Sequence, residues 1–343
     1  METFQALRLV GRNQPLIEAE IPVPELAEGE ALVRVLAAGI CRSDIHYWQG
    51  TPRLPNLPRT LGHEVAGVVE ALGPNPPAGV VPGLRVGVHY QTSCGTCRFC
   101  AAGNDQFCVS GQMIGNSRDG GYAEKIVVPA RNLVAIPDAV PIEHSAVMMC
   151  SSATSFHALR RARLGTGESV AVFGLGGLGQ SAIQLAFALG AGRVYAVDIN
   201  PAKVALAAQH GAVPVDGGPS AVEAILQDSG GVDVSLELVG LAATMRQAVE
   251  VLGPQGRAAA VGLAEDSFSL NAYEDLVLRE AEVIGVSDHL ASELVPLLQI
   301  AAAGDLDLSR VVSQQVPLQA DPVNKVLSDL AAFGDEIRTV IVP

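Results

Sequence analysis

Between Glu168 and Arg193 the chain runs for 24 residues, Ser169 to Gly192, without a charged side chain. A bilayer span needs about 20 apolar residues, so the run is long enough to cross a membrane. Four glycines between positions 174 and 179 argue for a buried strand, a glycine turn and a buried helix instead. The strand is expected at Val170–Phe173 and the helix at Gln180–Leu189. The turn, Gly174-Leu175-Gly176-Gly177-Leu178-Gly179, fits G-x-G-x-x-G. Asp198 follows 19 residues after the last of these glycines, at the end of the next expected strand, Arg193–Val197. Glycine turns are common in a glycine-rich chain, but this order of strand, turn, helix and acidic residue is the dinucleotide-binding arrangement.

In that arrangement the glycines let backbone approach a pyrophosphate, whose charge sits at the positive end of the helix. Asp198 then accepts hydrogen bonds from the adenosine ribose. A 2′-phosphate would meet this carboxylate with no arginine beside it, since Ile199 and Asn200 follow. NAD is therefore expected over NADP. From about Ser151 onward strands and helices alternate, with a helix at Pro201–His210 and short apolar runs at Asp233–Glu237, Ala258–Gly262 and Val283–Val286. The pattern predicts an α/β, doubly wound parallel sheet covered on both faces.

The first 150 residues read differently. Ala31–Ala37 and Glu64–Ala71 are strand-like, and the loops Thr51–Arg59 and Gly73–Gly83 are too rich in Pro and Gly for helix. A mostly β domain is expected. From Asp288 the tail returns to a helix, a strand near Val311–Pro317, another helix and a final strand at Thr339–Val342. A length of 343 residues fits two domains. With 49% hydrophobic and 17% charged residues the chain is globular, not disordered. The formal charge of −14 disfavours a phosphate-backbone partner. Met1–Arg12 lacks a basic segment followed by an apolar core, so a soluble cytoplasmic protein without membrane association is expected.

Six cysteines stand at 41, 94, 97, 100, 108 and 150. Cys94, Cys97, Cys100 and Cys108 form a compact set in a chain too large for a small disulfide-stapled fold. Four thiolates close a tetrahedral shell around Zn²⁺ and leave no place for substrate, as in a structural site. An iron–sulfur cluster also uses close Cys spacings, but its trailing Cys-Pro is absent here. A nucleic-acid-binding zinc ribbon is disfavoured because the charges from Arg98 to Lys125 cancel. Cys41, His63, Glu64 and Cys150 remain as metal candidates, and spacing alone cannot join them.

The chain resembles the zinc-dependent alcohol dehydrogenases of the medium-chain dehydrogenase/reductase superfamily over essentially its whole length. The match is carried by Gly39-Ile40-Cys41-Arg42-Ser43-Asp44-Ile45-His46, Gly62-His63-Glu64-Val65-Ala66-Gly67 and the four-Cys lobe. Gly121-Tyr122-Ala123-Glu124, Cys150-x3-Thr154, the glycine motif with Asp198, and Ile337-Arg338-Thr339 add to it. The resemblance implies a GroES-like catalytic domain from 1–149 and 288–343, with a Rossmann domain at 150–287. It implies catalytic zinc on Cys41, His63 and Cys150, with Glu64 as an alternating or neighbouring ligand. Asp44 would orient His63. Ser43 would take the alcohol proton and pass it, through the nicotinamide ribose, to His46. Arg42 and Arg338 would contact the pyrophosphate, Thr154 the nicotinamide, and Asn200 and Lys203 the adenosine ribose.

Zinc would polarise the alcohol or carbonyl oxygen while hydride passes between substrate carbon and NAD. Trp48, Tyr90 and Met113 are the expected substrate-pocket residues, bulky and largely apolar, which favours aliphatic or aromatic alcohols and aldehydes. A polyol or amino-alcohol dehydrogenase of the sorbitol or threonine type shares nearly all these motifs. A non-catalytic NAD-binding relative would be free to lose ligands or relay residues that this chain retains. Dimers or tetramers are the forms the resemblance implies. Two departures from the family pattern stand out: Pro76 in the loop Gly73–Gly83, and Leu84 where Gly83-Leu84-Arg85-Val86 usually has Asp.

Overall fold

A computed structural model describes residues 2–50, 56–263, 266–332 and 337–343, so most of the Thr51–Arg59 loop lies outside the described residues. The chain divides into two compact units. One comprises Met1–Ser151, Leu290–Ala302 and Val311–Pro343; the other comprises Ser152–His289 and Ala303–Arg310.

The second unit is built on a six-stranded sheet whose neighbours are all parallel. Ser169–Phe173 lies at its centre, between Arg193–Asp198 and Val232–Glu237. Val213–Asp216 lies outside Arg193–Asp198, and Leu252–Ala260 and Glu282–Gly285 complete the other side. The spatial order is thus third, second, first, fourth, fifth, sixth, the doubly wound order with its switch point beside the first strand. The uncharged run resolves into the strand Ser169–Phe173 and the helix Gly177–Ala188. Val170, Ala171, Val172, Ala182, Ile183 and Leu185 are all buried, which accounts for the missing charges. Among the described residues no helix is long and apolar enough to cross a membrane. The strand Val213–Asp216 is absent from the expected list because Pro214 interrupts it. It pairs only with Arg193–Asp198, at the sheet edge, where a missing N–H is tolerated.

In the first unit Glu30–Gly39 is the hub. It pairs antiparallel with Glu64–Leu72, Lys125–Pro129 and Arg338–Val342. Arg85–Val88 and Leu133–Ala135 extend the sheet beyond Glu64–Leu72, and Val312–Pro317 extends it beyond Arg338–Val342. The C-terminal strand therefore lies beside the hub through Val340 opposite Gly39 and Ile341 opposite Ala38. The mostly β expectation omitted the helices Arg42–Gln49, Arg98–Ala101 and Ile142–Val147. The first is short because Gly50, in the left-handed conformation at φ 86°, closes it after two turns. Its start is fixed by Asp44, whose Oδ2 accepts the Cys41 backbone N–H at 2.9 Å.

Candidate metal centre and dinucleotide loop

Cys41 precedes the helix Arg42–Gln49, and His63 and Glu64 stand at the start of the strand Glu64–Leu72. Cys150 sits in a wide π turn, Met148–Ser152, a helical irregularity often found at functional sites. These separate segments bring one ligand atom from each of Cys41, His63, Glu64 and Cys150 within 4.8 Å of one another, and all four residues are buried. The register of the hub strand explains part of this convergence. Gly39 lies opposite Glu64, and a Cβ at Gly39 would stand 2.1 Å from Glu64 Oε2. Only glycine leaves room for the carboxyl group.

Around this cluster the polar atoms are held closely. Asp44 Oδ1 faces His63 Nδ1 at 3.4 Å, a contact that orients the ring although it is longer than a good hydrogen bond. Tyr122 Oη donates to Asp44 Oδ2 at 2.8 Å. Arg338 Nη2 donates to Glu64 Oε1 at 2.9 Å, and its Nη1 donates to the Ile40 carbonyl at 2.9 Å. Both ring nitrogens of His63 and Glu64 Oε2 are buried without a hydrogen-bond partner among the described residues, Nδ1 having only the long Asp44 contact. A buried imidazole nitrogen left this way, with two thiols within reach, matches the Cys2His set of a zinc site with an open position.

The titration behaviour follows from the same crowding. A hydrogen bond from Cys150 holds the Cys41 thiol well below its ordinary value, and Cys150 is correspondingly pushed well above. Burial raises Glu64 to about 8 against the pull of Arg338. Burial, followed by Asp44, pushes the Tyr122 phenol well above its ordinary value, so it is the donor in its bond to Asp44.

Cys94, Cys97, Cys100 and Cys108 meet in a lobe bounded by the paired segments Gln91–Thr92 and Gln112–Met113. Cys94 Sγ lies 3.9 Å from Cys100 Sγ, and Cys97 Sγ 3.5 Å from Cys100 Sγ. A tetrahedral ion with Zn–S bonds of about 2.3 Å sets its sulfurs ~3.8 Å apart. This spacing suits one ion and is too tight for a cluster of several irons, which removes the iron–sulfur alternative. Backbone N–H groups of Thr96 and Cys97 point at Cys94 Sγ from 3.5 and 3.3 Å. Those donors, Thr96 first, lower Cys94 to about 5 and favour its thiolate.

At the glycine motif each of the three key glycines has its own physical reason. Gly174 turns the chain at φ +94°, where a Cβ would also strike Val239. Gly176 has open space where a Cβ would stand. A Cβ at Gly179 would lie 2.0 Å from the Gly174 carbonyl oxygen, so this glycine permits helix and strand to pack. Gly177 and Leu178 begin the helix. Asp198 Oδ2 accepts the Leu175 N–H at 2.7 Å and its Oδ1 the Asn200 N–H at 2.8 Å. The acidic residue is thus tied to the glycine turn itself. Asn200 caps the helix Pro201–Gln209, and the Lys203 carbonyl accepts from Gln180 at 2.9 Å. Thr154 is buried in the helix Ala153–Arg161, which the Ser155 hydroxyl joins to the Leu178 carbonyl at 2.8 Å.

Ser43 Oγ lies 3.9 Å from Cys41 Sγ, and His46 is half-buried one turn further along the helix. Arg42 Nη1 reaches the Leu330 carbonyl at 3.4 Å. Tyr90 is buried with its ring edge-on to His63, centroids 5.2 Å apart. The Trp48 indole N–H instead donates to the Gln14 carbonyl at 2.6 Å. Its neighbour Tyr47, absent from the expected pocket, stands edge-on to His63 at 6.4 Å and donates to Met113 Sδ at 3.1 Å. Successive helical residues point about 100° apart, so the two rings meet different neighbours. Nothing local in Gly121-Tyr122-Ala123-Glu124 shows that the Tyr122 hydroxyl reaches Asp44, 78 residues away.

Comparison with known proteins agrees with this geometry. Residues 27–138 match the alcohol dehydrogenase GroES-like domain, and residues 177–301 match the zinc-binding dehydrogenase domain. An alcohol dehydrogenase of Geobacillus stearothermophilus is 36% identical over 296 residues, covering 85% of this chain and 87% of that protein. An NAD-dependent alcohol dehydrogenase of Sulfurisphaera tokodaii is 30% identical over 356 residues, covering 99% of this chain and 100% of that protein. A crystal structure of a zinc-binding dehydrogenase from Sinorhizobium meliloti bound to NADP superposes with a TM-score of 0.90. It is 29% identical, with 100% of both chains covered.

The Glu64–Arg338 pair yields a stability prediction. Replacing Arg338→Met should leave the buried Glu64 carboxyl group without its donor and cost about 1–3 kcal/mol. Pairing that change with Glu64→Leu should restore most of the loss, because no unpaired buried polar group then remains. Urea unfolding of wild type and the two variants measures both effects. An Arg338→Met midpoint equal to wild type would show that the pair carries no such weight.

Proposed function

The chain belongs to the zinc-dependent alcohol dehydrogenases of the medium-chain dehydrogenase/reductase superfamily, and we propose how its own residues perform the interconversion of alcohols with aldehydes or ketones. Cys41, His63 and Cys150 hold a catalytic zinc, and Cys94, Cys97, Cys100 and Cys108 hold a second, structural one. The observation that carries this reading is the buried meeting of Cys41, His63, Glu64 and Cys150, with His63 Nε2 lacking a protein partner. When bound, zinc supplies Lewis acidity to the substrate oxygen and NAD accepts or returns the hydride.

The remaining work belongs to the chain. Asp44 faces Nδ1 of His63, which fixes the ring angle and leaves Nε2 as the ligating nitrogen. Ser43, whose Oγ lies 3.9 Å from Cys41 Sγ, would take the alcohol proton while passing its own on, and half-buried His46, one turn further along the helix, would hand a proton to solvent. Glu64 is held by Arg338 on one oxygen and keeps the other free, which supports an alternating rather than a permanent ligand. The glycine turn and the start of the helix Gly177–Ala188 receive the pyrophosphate. Asp198, Asn200 and Lys203 receive the adenosine ribose, and Thr154 flanks the nicotinamide. The rings of Tyr47 and Tyr90 edge-on to His63 support substrates with an apolar body.

The direct test is NAD⁺ reduction by the zinc-loaded enzyme across primary, secondary, aromatic and polyol alcohols and threonine. Apolar alcohols should give the highest kcat/KM, and activity should disappear as a chelator withdraws metal from the site with an open position. A preference for polyols or threonine would transfer the chain to that branch of the superfamily. Activity that persists without zinc would remove the metal from the mechanism.

Cofactor choice should reside largely in Asp198. Asp198→Gly removes the carboxylate that repels a 2′-phosphate, so the NADP to NAD ratio of kcat/KM should rise about tenfold or more, tenfold being ~1.4 kcal/mol. A wild-type enzyme that already prefers NADP would contradict the assignment.

The proton route makes a further prediction. Histidine side chains change charge between about pH 5 and 8, so one at the end of a relay can take up a proton there. His46→Gln keeps the size but not the basicity. Alcohol oxidation should slow most at about pH 6–8 and recover at higher pH, where hydroxide serves instead. An unchanged pH–rate profile would remove His46 from the route.

A further inference from the structure

We propose that Tyr122 is a positioning residue for the buried metal centre: its hydroxyl fixes the Asp44 carboxyl group that orients His63. The inference rests on the reading of Cys41, His63 and Cys150 as metal ligands, and extends it outward along one hydrogen-bonded chain.

Tyr122 is fully buried and lies 78 residues from Asp44, yet its Oη donates to Asp44 Oδ2 at 2.8 Å. The same oxygen accepts the backbone N–H of Cys41 at 2.9 Å. The other oxygen faces the Gly62 N–H at 3.4 Å and His63 Nδ1 at 3.4 Å. Rotation of this carboxyl group about its last bond would therefore change its contact with His63 and with the residue preceding each of two helical and strand segments. Tyr122 is the side chain that opposes such rotation.

Its own freedom is small. The Tyr122 N–H donates to the Leu61 carbonyl at 3.0 Å, its carbonyl accepts from Leu7 at 2.8 Å, and Gly121 N–H donates to the Gly62 carbonyl at 2.8 Å. The ring packs closely against Gly62: a Cβ there would come within 2.3 Å of Tyr122 Cδ1 and 2.6 Å of Cε1. Gly62 also holds φ +93°, so glycine is required on both counts. The glycine of Gly62-His63-Glu64 and the tyrosine of Gly121-Tyr122-Ala123-Glu124 are thus two halves of one fit. The glycine admits the ring, and the ring carries the hydroxyl to Asp44. Asp44 stands one step beyond His63, where partners commonly contribute roughly 10–100-fold to metal affinity, and Tyr122 acts through it.

The test compares zinc-loaded wild type, Tyr122→Phe, Asp44→Asn, the double variant and Cys41→Ser. Zinc release to a chromogenic chelator is followed in time, and cobalt-substituted protein is followed by its visible spectrum. Cys41→Ser should delete one release phase and leave that of the four thiolates, which identifies the phase belonging to the buried site. Tyr122→Phe keeps the ring on Gly62 and loses only the hydroxyl. It should weaken zinc at the buried site about tenfold, shift the cobalt spectrum, and leave the four-thiolate phase unchanged. In the Asp44→Asn background it should add nothing, because its effect passes through Asp44. A Tyr122→Phe protein with wild-type release and spectrum would overturn the proposal. So would loss of both phases together, which would mark a folding residue, or full additivity with Asp44→Asn. If Cys41→Ser deletes no phase, the metal assignment itself fails, and the Tyr122 proposal with it.

Discussion

A single buried carboxyl group ties the metal centre together. Asp44 accepts a backbone N–H from Cys41 and a hydroxyl from Tyr122, and it faces Gly62 and His63. It thereby joins the start of a short helix, the turn before a strand and a segment near residue 122. An interior carboxyl group is costly unless its hydrogen bonds are made. The arrangement is consequently stiff: each partner that leaves exposes the others to that cost. Cys41 and His63 receive fixed directions from one atom group, and the position of a bound ion follows from theirs.

Glu64 and Arg338 form the second buried anchor. The strand Arg338–Val342 comes from the far end of the chain and pairs with Glu30–Gly39. Arg338 reaches Glu64 and the Ile40 carbonyl from that strand. The C-terminal tail is therefore part of the first unit by hydrogen bonds and by a buried charge pair, not merely by packing. Gly39 completes the logic, since its missing side chain is where the Glu64 carboxyl group lies.

Much of this was legible in the residue order. The four-Cys lobe and the glycine motif are local: their chemistry is compressed into 15 and 6 consecutive residues, so spacing alone defines them. The buried strand Ser169–Phe173 was legible because a sheet covered on both faces needs uninterrupted apolar runs. Val213–Asp216 was not, because Pro214 masks an edge strand. The helix Arg42–Gln49 was hidden too. Its sequence, Arg-Ser-Asp-Ile-His-Tyr-Trp-Gln, has no apolar periodicity and depends on the Asp44 cap and the Gly50 stop. Resemblance named Cys41, His63 and Cys150 as partners, but the residues themselves could not join positions so far apart.

The sequence by itself determined the donors and the turn: four thiols at metal-binding spacing, a glycine loop between strand and helix, and an acidic residue at the next strand end. Those features depend on neighbours within a few residues or one βαβ unit, which local geometry fixes. Only the tertiary structure decided which long-range groups meet. It placed Tyr47 rather than Trp48 against His63, set Arg338 on Glu64, and brought Tyr122 to Asp44 through the space left by Gly62. Such contacts arise from strand register and from the absence of a Cβ at one position. Neither quantity is written in the order of residues around any one of the partners.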